Sequence, residues 1–273
     1  MTEELELENV KINVKSFSKT LKYVSLNNIP NIINSLQTLE TLKTLETLKS
    51  LKSLNLDNNR LSKFELKFDN LKYLSLKDNN IIDITYICKN NTKLKNLSLF
   101  NNHIEFIPIE IQNLSHLVIL NLINNKLTDI TNITNKIPLE YLFLDSNFLQ
   151  YVNIKSNSII SLSLMNNYIK TIKINIKPLL TLNLENNKIN ELSINKTAHI
   201  KYLNLNNSIC NLKDFNKFTY KYINTLNISN NDLININIPF NKFISLKRLY
   251  IINTQNIHNL NQISNNLEFI KQR

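Results

Sequence analysis

The chain has 273 residues, a formal net charge of +11 and no glycine. Without glycine it lacks the usual form of the loops that cradle nucleotide phosphates and of the Rossmann fingerprint, which excludes enzymes built on those motifs. The positive charge comes from scattered lysines, and no apolar run approaches the roughly 18 residues that span a bilayer. The composition therefore predicts neither a basic tail nor a membrane span.

The first twenty residues are predicted to form a capping segment, 1–20. The segment has the apolar spacing of the repeat described below, in a less regular form. Its apolar positions are Leu5, Leu7, Val10 and Ile12, and glutamates occupy the outward positions. The acidic start is the opposite of the basic start of a signal peptide. We therefore predict an intracellular, cytoplasmic protein, with a nuclear location not excluded.

A weak repeat starts at Leu21 and is followed by an irregular segment over 30–50. Within that segment the hexamer TLETLK occurs twice in tandem, over 38–49, with leucine at every third position. This spacing predicts either a helix that protrudes on the side of the repeat opposite its strand, or an expanded repeat.

One pattern, Leu-x-x-Leu-x-Leu-x-x-Asn-x-Leu/Ile, then recurs about every 20 to 23 residues. Close copies start at Leu51, Leu71, Leu94, Leu117, Leu139, Ile159, Leu179 and Ile223, and weaker ones at Leu21, Ile200 and Leu246. The Leu-x-Leu alternation predicts one short strand per repeat, with the leucines on one face. A single repeat cannot bury enough apolar surface to fold alone, so the repeats must stack and pair their strands in parallel.

The pattern resembles the leucine-rich-repeat family over nearly the whole chain. The resemblance implies an α/β solenoid of horseshoe shape, with a concave parallel β-sheet and a mostly irregular or short-helical convex side. It predicts a single continuous domain of about eleven repeats over 21–273. The segments IIDITYI and LTDITNI resemble repeats of phosphatase regulatory subunits and internalins, whereas IEFIPIEIQNLSHL resembles repeats of Ras-pathway scaffolds. The three shorter repeats from Leu139 resemble bacterial effector repeats, so the resemblance implies a binding role and no particular partner.

The asparagine of the pattern is predicted to be structural. It follows each strand and points inward, where its amide can satisfy backbone groups that the turn leaves unpaired. Asparagine also tolerates left-handed backbone, which helps a chain without glycine to turn tightly. The predicted column comprises Asn59, Asn79, Asn102, Asn125, Asn147, Asn167, Asn187 and Asn231.

No set of residues predicts catalysis or metal binding, so we expect no enzyme, no metal and no cofactor. There is no Cys-x-x-Cys or His-Glu-x-x-His motif. Cys88 and Cys210 lie among apolar residues and are predicted to be buried free thiols. The histidines do not converge in the predicted register, and they are His103, His116, His199 and His258.

The outward positions of the middle strands are apolar where the others are polar. We predict a partner-binding patch on the concave face formed by Phe100, Ile119, Ile123, Tyr141, Phe143 and Met165. Exposed aromatics and methionine are typical of interaction hot spots, because they bury a large area with few rotors to freeze. Asp145 and Glu185 are expected to select a basic partner segment, and Ser163→Ala on the same face is expected to be nearly neutral.

These features predict a protein–protein interaction scaffold or adaptor. One alternative is association with nucleic acid or ribonucleoprotein, suggested by the net charge and by tyrosines on the concave face at Tyr23, Tyr73 and Tyr202. Another is the regulatory or recognition subunit of a phosphatase or ligase complex. The apolar C-terminal end at Leu267 and Ile270 also predicts self-association.

Overall fold

The computed structural model describes residues 4–8, 20–29, 46–209, 220–234, 238–255, 257, 260–263 and 267–271. The chain divides into two compact units, Met1–Leu127 with Lys136–Leu139, and Thr128–Asn135 with Glu140–Arg273. Most of the predicted cap and most of the duplicated 30–50 segment lie outside the described residues. The assignment of 1–20 as a cap and of 21–273 as one domain stays a prediction.

The first unit contains a parallel sheet whose strands pair in chain order. Every strand places a leucine or valine opposite that of its neighbour, for example Leu97 opposite Leu120. Apart from the first strand, where Leu5 is partly exposed, these side chains are buried, because alternate residues of a strand point to opposite faces. The strands are β1 (Glu4–Glu8), β2 (Tyr23–Asn27), β3 (Ser53–Asn55), β4 (Tyr73–Ser75), β5 (Asn96–Ser98) and β6 (Ile119–Asn121).

The second unit contains the strands β7 (Tyr141–Phe143), β8 (Tyr151–Ser156), β9 (Ser161–Ser163), β10 (Thr171–Ile176), β11 (Thr181–Asn183), β12 (Glu191–Ile194), β13 (Tyr202–Asn204), β14 (Thr225–Asn227), β15 (Arg248–Tyr250) and β16 (Phe269–Lys271). One parallel sheet pairs β7, β9, β11, β13, β14, β15 and β16 in that order. Leu142, Leu162 and Leu182 lie side by side beneath it, fully buried. The predicted strand at the Leu-x-Leu motif of each repeat, with inward leucines, is confirmed.

The convex side differs from the prediction in the second unit. Short helices occur as expected at α1 (Thr85–Asn90) and in 3-10 turns at Ile109–Asn113, Phe240–Lys242 and Leu260–Gln262. However, β8, β10 and β12 form a separate three-stranded parallel sheet on the convex side. The shorter repeats leave too few residues for a helix there, and segments such as TIKINI alternate buried and exposed residues as a strand requires.

The asparagines of the predicted column are buried. Its members are at most 7% exposed. Hydrogen bonds to the preceding repeat are made by Asn59, Asn79, Asn102, Asn125, Asn167, Asn187 and Asn231. Asn167 is representative: its Oδ1 accepts from the Leu149 N–H at 3.1 Å, and its Nδ2 donates to the carbonyl oxygens of Leu144 and Leu164 at 3.0 and 3.1 Å. In a weaker copy, Ser208 substitutes in part, since its hydroxyl donates to the Leu205 carbonyl at 2.7 Å. The column satisfies backbone groups that would otherwise be buried without partners.

The left-handed residue of each turn is the one before the inward asparagine. Asn166 and Asn186, for example, both have φ of 54°. Asparagine and aspartate adopt this region more readily than other residues that carry a Cβ. Their exposed amides also bond from repeat to repeat: Asn186 Nδ2 donates to Asn166 Oδ1 at 2.7 Å, and Asn207 Nδ2 donates to Asn186 Oδ1 at 3.0 Å. The Asn-Asn pair of the pattern thus has one exposed and one buried asparagine, with different roles.

Candidate functional site

In the first unit, three of the predicted patch residues lie on the outward face of the strands. Ile119 begins β6 and is paired with Asn96 of β5. Phe100 and Ile123 follow these two strands at equivalent positions, since the Asn101 N–H donates to the Ile123 carbonyl at 2.9 Å. All three are partly exposed, so their side chains are accessible on this face of the first unit.

In the second unit, the other three patch residues also lie on the outward face. Tyr141 is 37% exposed, and Phe143 and Met165 are partly exposed. Phe143 is paired with Ser163 of β9, and Met165 lies two residues after Ser163, which makes Phe143 and Met165 diagonal neighbours. Tyr141 and Phe143 on β7, together with Met165 after β9, thus form one apolar group on this face.

Asp145 does not fit the expected role of selecting a basic partner. Its side chain is buried, with 6% of the residue exposed, and its Oδ1 accepts from the Ser163 hydroxyl at 2.5 Å and from the Met165 N–H at 2.6 Å. Burial raises the pKa of the Asp145 carboxyl, and the two hydrogen bonds offset part of that rise. Asp145 is therefore a structural link between two repeats, and Ser163 is its partner.

The same link occurs in the first unit in a more exposed form. Asp57 Oδ1 accepts from the Ser75 hydroxyl at 2.6 Å and from the Lys77 N–H at 2.7 Å. Asp57 is half-buried where Asp145 is buried. The two aspartates therefore make equivalent hydrogen bonds but differ in how far solvent reaches their carboxylates.

Glu185 is also engaged within the fold. Its two carboxylate oxygens accept from the Asn204 and Asn206 side-chain amides at 2.9 and 2.7 Å. The side chain remains partly exposed. Glu185 therefore keeps some access to solvent, but its main contacts are with the next repeat.

The three tyrosines that suggested association with nucleic acid are exposed, each on the outward face of the unit that contains it. Tyr23 and Tyr73 are 41% and 46% exposed in the first unit, and Tyr202 is 37% exposed in the second. Burial together with the nearby Glu185 carboxylate raises the pKa of the Tyr202 hydroxyl. Each ring thus presents an apolar surface at the first outward position of its strand.

The residues with chemical reactivity remain separate or buried. His103, His116 and His199 are exposed, and no group of three or more His, Cys, Asp or Glu residues suited to a metal ion occurs within the described part of the chain. Cys88 is confirmed as a buried free thiol, and burial raises its pKa to about 12. Cys210 and His258 lie outside the described residues. None of the described helices is long and apolar enough to cross a membrane.

Solved structures decide the fold. An internalin from Listeria monocytogenes aligns with a TM-score of 0.65 at 21% identity, over 99% of this chain and 86% of its own. The chain has the leucine-rich-repeat fold. A leucine-rich-repeat protein of Leptospira interrogans aligns with a TM-score of 0.56 at 21% identity, over 93% of this chain and 73% of its own.

A third similar structure is the ectodomain of a plant membrane receptor kinase from Arabidopsis thaliana, solved in complex with Casparian strip integrity factor 2. It aligns with a TM-score of 0.57 at 21% identity, over 86% of this leucine-rich-repeat chain and 33% of its own. No protein-family model matches the sequence, and no curated protein is similar to it in sequence. The likeness establishes the fold and leaves the partner open.

Sequence reasoning missed one exposed column in the second unit. The residue after the inward asparagine is Phe148, Tyr168 and Lys188 in three consecutive repeats. The rings of Phe148 and Tyr168 stack with centroids 6.1 Å apart and an interplanar angle of 7°. The signal was two aromatic residues at the same repeat position about 20 residues apart, outside the strand positions that the concave-face hypothesis considered.

Proposed function

We propose that this leucine-rich-repeat chain is an interaction scaffold or adaptor that binds a protein partner through the outward face of its strands. The observation that supports this most is the group Tyr141, Phe143 and Met165. Tyr141 is exposed and the other two are partly exposed, while the alternating Leu142 and Leu144 are fully buried. The register that buries the leucines therefore also presents the aromatic pair. Phe100, Ile119 and Ile123 present a second apolar group on the first unit.

The partner segment that meets Tyr141, Phe143 and Met165 is apolar in this proposal. Asp145 lies next to this group in the sequence, but its carboxylate is buried and bonded to Ser163 and Met165. A basic segment would find no free carboxylate at that position. Aromatic and methionine side chains instead contribute by the apolar area that they bury.

An intracellular location is part of the proposal. It is supported by Cys88, a free thiol in the interior. Such thiols are common in reducing compartments.

The test is Phe143→Asp, with Asn227→Asp as the matched control. Both residues occupy the second outward position of a strand in the second unit, and both changes add one carboxylate. Partner protein bound from lysate is quantified by mass spectrometry for the wild type and both variants, with the melting temperature measured alongside. We expect Phe143→Asp to fold and to lose its specific partner by about thirtyfold in affinity, the loss of a hot spot worth about 2 kcal/mol. Equal recovery of every bound protein by Phe143→Asp and the control would contradict the proposal.

Nucleic-acid binding by the outward face is the second candidate. The exposed rings of Tyr23, Tyr73 and Tyr202 support it, together with the net charge of +11. It predicts that Lys77→Ala and Lys201→Ala weaken binding and that affinity falls steeply with salt. A protein partner held by apolar side chains is insensitive to both.

A further inference from the structure

The exposed column at Phe148, Tyr168 and Lys188 leads to a pocket in the second unit. Phe148 and Tyr168 are 46% and 49% exposed, and each is followed about 20 residues later by the next member of the column. The stacked geometry of the two rings covers one face of Tyr168. Two aromatic rings that stack on the surface form a platform on which a further planar group can stack.

The pocket lies on the side of Tyr168 away from Phe148. Its volume is about 570 Å³, within the usual range for a small-molecule site, and its lining includes Tyr168 and Lys188 but not Phe148. The amides of Asn166, Asn186 and Asn207 and the side chain of Ile209 complete the wall.

The pocket exists because the exposed column ends after Lys188. In the earlier repeats the residue after the inward asparagine bonds to the preceding repeat, as the Lys188 N–H does to the Ile169 carbonyl at 3.1 Å. The residue after Lys188 bonds in the opposite direction, to the following repeat: the Ile189 N–H donates to the Ser208 carbonyl at 2.7 Å. Ile209 is thereby paired with Ile189 and drawn inward, to 7% exposure. Ile209 therefore lines the pocket and does not extend the exposed column.

The amides that line the pocket keep hydrogen-bonding capacity. A side-chain amide has two N–H groups and a carbonyl oxygen with two lone pairs. Asn186 uses one N–H toward Asn166 and one lone pair toward Asn207 in the exposed ladder. It retains one donor and one acceptor, the complementary pair that the edge of a nucleobase requires.

Lysines are frequent in the chain segments next to the pocket. Lys188 lines it, Lys170 follows Tyr168 by two residues, and Lys155 and Lys173 lie on β8 and β10 of the three-stranded sheet. All four lysines are exposed, and within the described part of the chain none has a carboxylate partner. Glu191, the one acidic residue of β12, lies opposite Thr171 on this sheet.

We propose that this pocket binds a nucleotide, with the base against the Tyr168 ring on the side away from Phe148 and the phosphate near Lys188. The shared chemistry is a planar base joined to an anionic phosphate, found in a free nucleotide and in single-stranded nucleic acid. The lysines that continue onto β8 and β10 favour a single strand, because they extend the charge beyond one phosphate. This site differs in position from the outward face of the strands, and it does not depend on the protein-binding proposal.

The test uses the full chain with a fluorescently labelled ten-nucleotide oligouridylate, measured by anisotropy. Tyr168→Ala is expected to weaken binding by about 5- to 150-fold, the usual effect of losing one base–aromatic stacking contact. Lys188→Ala is expected to reduce the slope of log affinity against log salt by about 0.7, which corresponds to one phosphate contact on a single strand.

Two matched controls separate this pocket from general attraction. Lys126→Ala changes an exposed lysine that also follows an inward asparagine, but in the first unit. Phe106→Ala removes an exposed ring, 51% accessible, from the first unit, at a residue outside every binding surface proposed above. We expect both to bind the oligonucleotide as the wild type does.

Competition identifies the source of the nucleotide. Displacement of the oligonucleotide by uridine monophosphate only at far higher concentration supports a strand ligand, and displacement at equal concentration supports a free nucleotide. Wild-type affinity in Tyr168→Ala, equal losses in Lys126→Ala and Lys188→Ala, or no saturable binding would overturn the site. So would stronger competition by N-acetyl-tryptophanamide than by uridine monophosphate, which would assign the pocket to an aromatic peptide side chain. Phe143→Asp is expected to leave oligonucleotide binding unchanged, so failure of this site and failure of the protein-binding proposal are distinguishable.

Discussion

The link between Asp145 and Ser163 gives the sharpest stability prediction. Ser163→Ala removes a donor from a buried carboxylate whose other bond, from the Met165 N–H, remains. A hydrogen bond to a charged group contributes about 1.5 to 3 kcal/mol, so we expect the unfolding free energy at pH 7 to fall by about that amount. This replaces the expectation from sequence alone that Ser163→Ala is nearly neutral.

Ser75→Ala is the matched control, because Ser75 makes the same bond to the half-buried Asp57. Water can reach that carboxylate and replace the lost donor, so the expected loss is smaller, about 0.5 to 1 kcal/mol. Urea unfolding followed by circular dichroism measures both variants. Equal losses would refute the argument that burial sets the cost.

A double-mutant cycle isolates the carboxylate. Asp145→Asn keeps an acceptor for Ser163 and removes the buried charge, so Ser163→Ala is expected to cost less in that background. The pH dependence follows from the raised pKa of Asp145. Because the folded state holds the proton more tightly than the unfolded state, stability from this group is greatest below the ordinary value of 3.8 and falls as pH rises through the folded pKa. Asp145→Asn is expected to remove this decline, and an unchanged pH profile would exclude the assignment.

Three further changes probe the fold. Leu142→Ala is expected to lower the unfolding free energy by about 2 to 5 kcal/mol in urea titration, because it opens a cavity among fully buried leucines. Asn167→Ala leaves buried backbone groups unpaired and is expected to cost about 1 to 3 kcal/mol, whereas Asn166→Gly, at the left-handed position, is expected to be tolerated to within about 1 kcal/mol; similar losses for both would reverse the roles of the two asparagines. Cys88 is expected to resist iodoacetamide at pH 8 in the folded chain and to react on unfolding, since its pKa of about 12 leaves it protonated; rapid alkylation of the native chain would contradict its burial.

The strand side of the repeats was predictable because a single physical requirement acts at every copy. Leucines at alternate positions must face inward, and the asparagine after them must satisfy the turn. Leu120, Leu142 and Leu162 are all fully buried as the pattern predicts. Repetition makes the signal strong, since each copy independently supports the same register.

The convex strands were not predicted because their segments are short and vary between repeats. Alternation in YVNIKS and TIKINI was present, with Ile154 and Ile174 buried between exposed neighbours. Each stretch alone is compatible with irregular structure. Only the equal spacing of two such stretches, aligned by the repeat, indicates that they pair.

The alternation of inward and outward residues along a strand also does not predict how exposed an outward side chain is. The alternation correctly places Phe143 and Asp145 on the face opposite the leucines, but it does not say how far the next repeat covers them. Asp145 is covered because Ser163 and the Met165 N–H close over its carboxylate. An aspartate followed 18 residues later by a serine, found at Asp57 and Asp145, is the signal that could have identified this.

Equivalent bonds at successive junctions make a repeat interchangeable with its neighbour in evolution. Asn187 accepts from the Ile169 N–H at 3.0 Å and donates to the Leu164 carbonyl at 3.0 Å, as Asn167 does with Leu149 and Leu144. Loss of 159–178 by unequal recombination would bring Asn187 to the partners that Asn167 now has. The asparagine bonds of the turn can therefore survive the gain or loss of a whole unit, whereas a specific link such as that between Asp145 and Ser163 would be lost with its repeat.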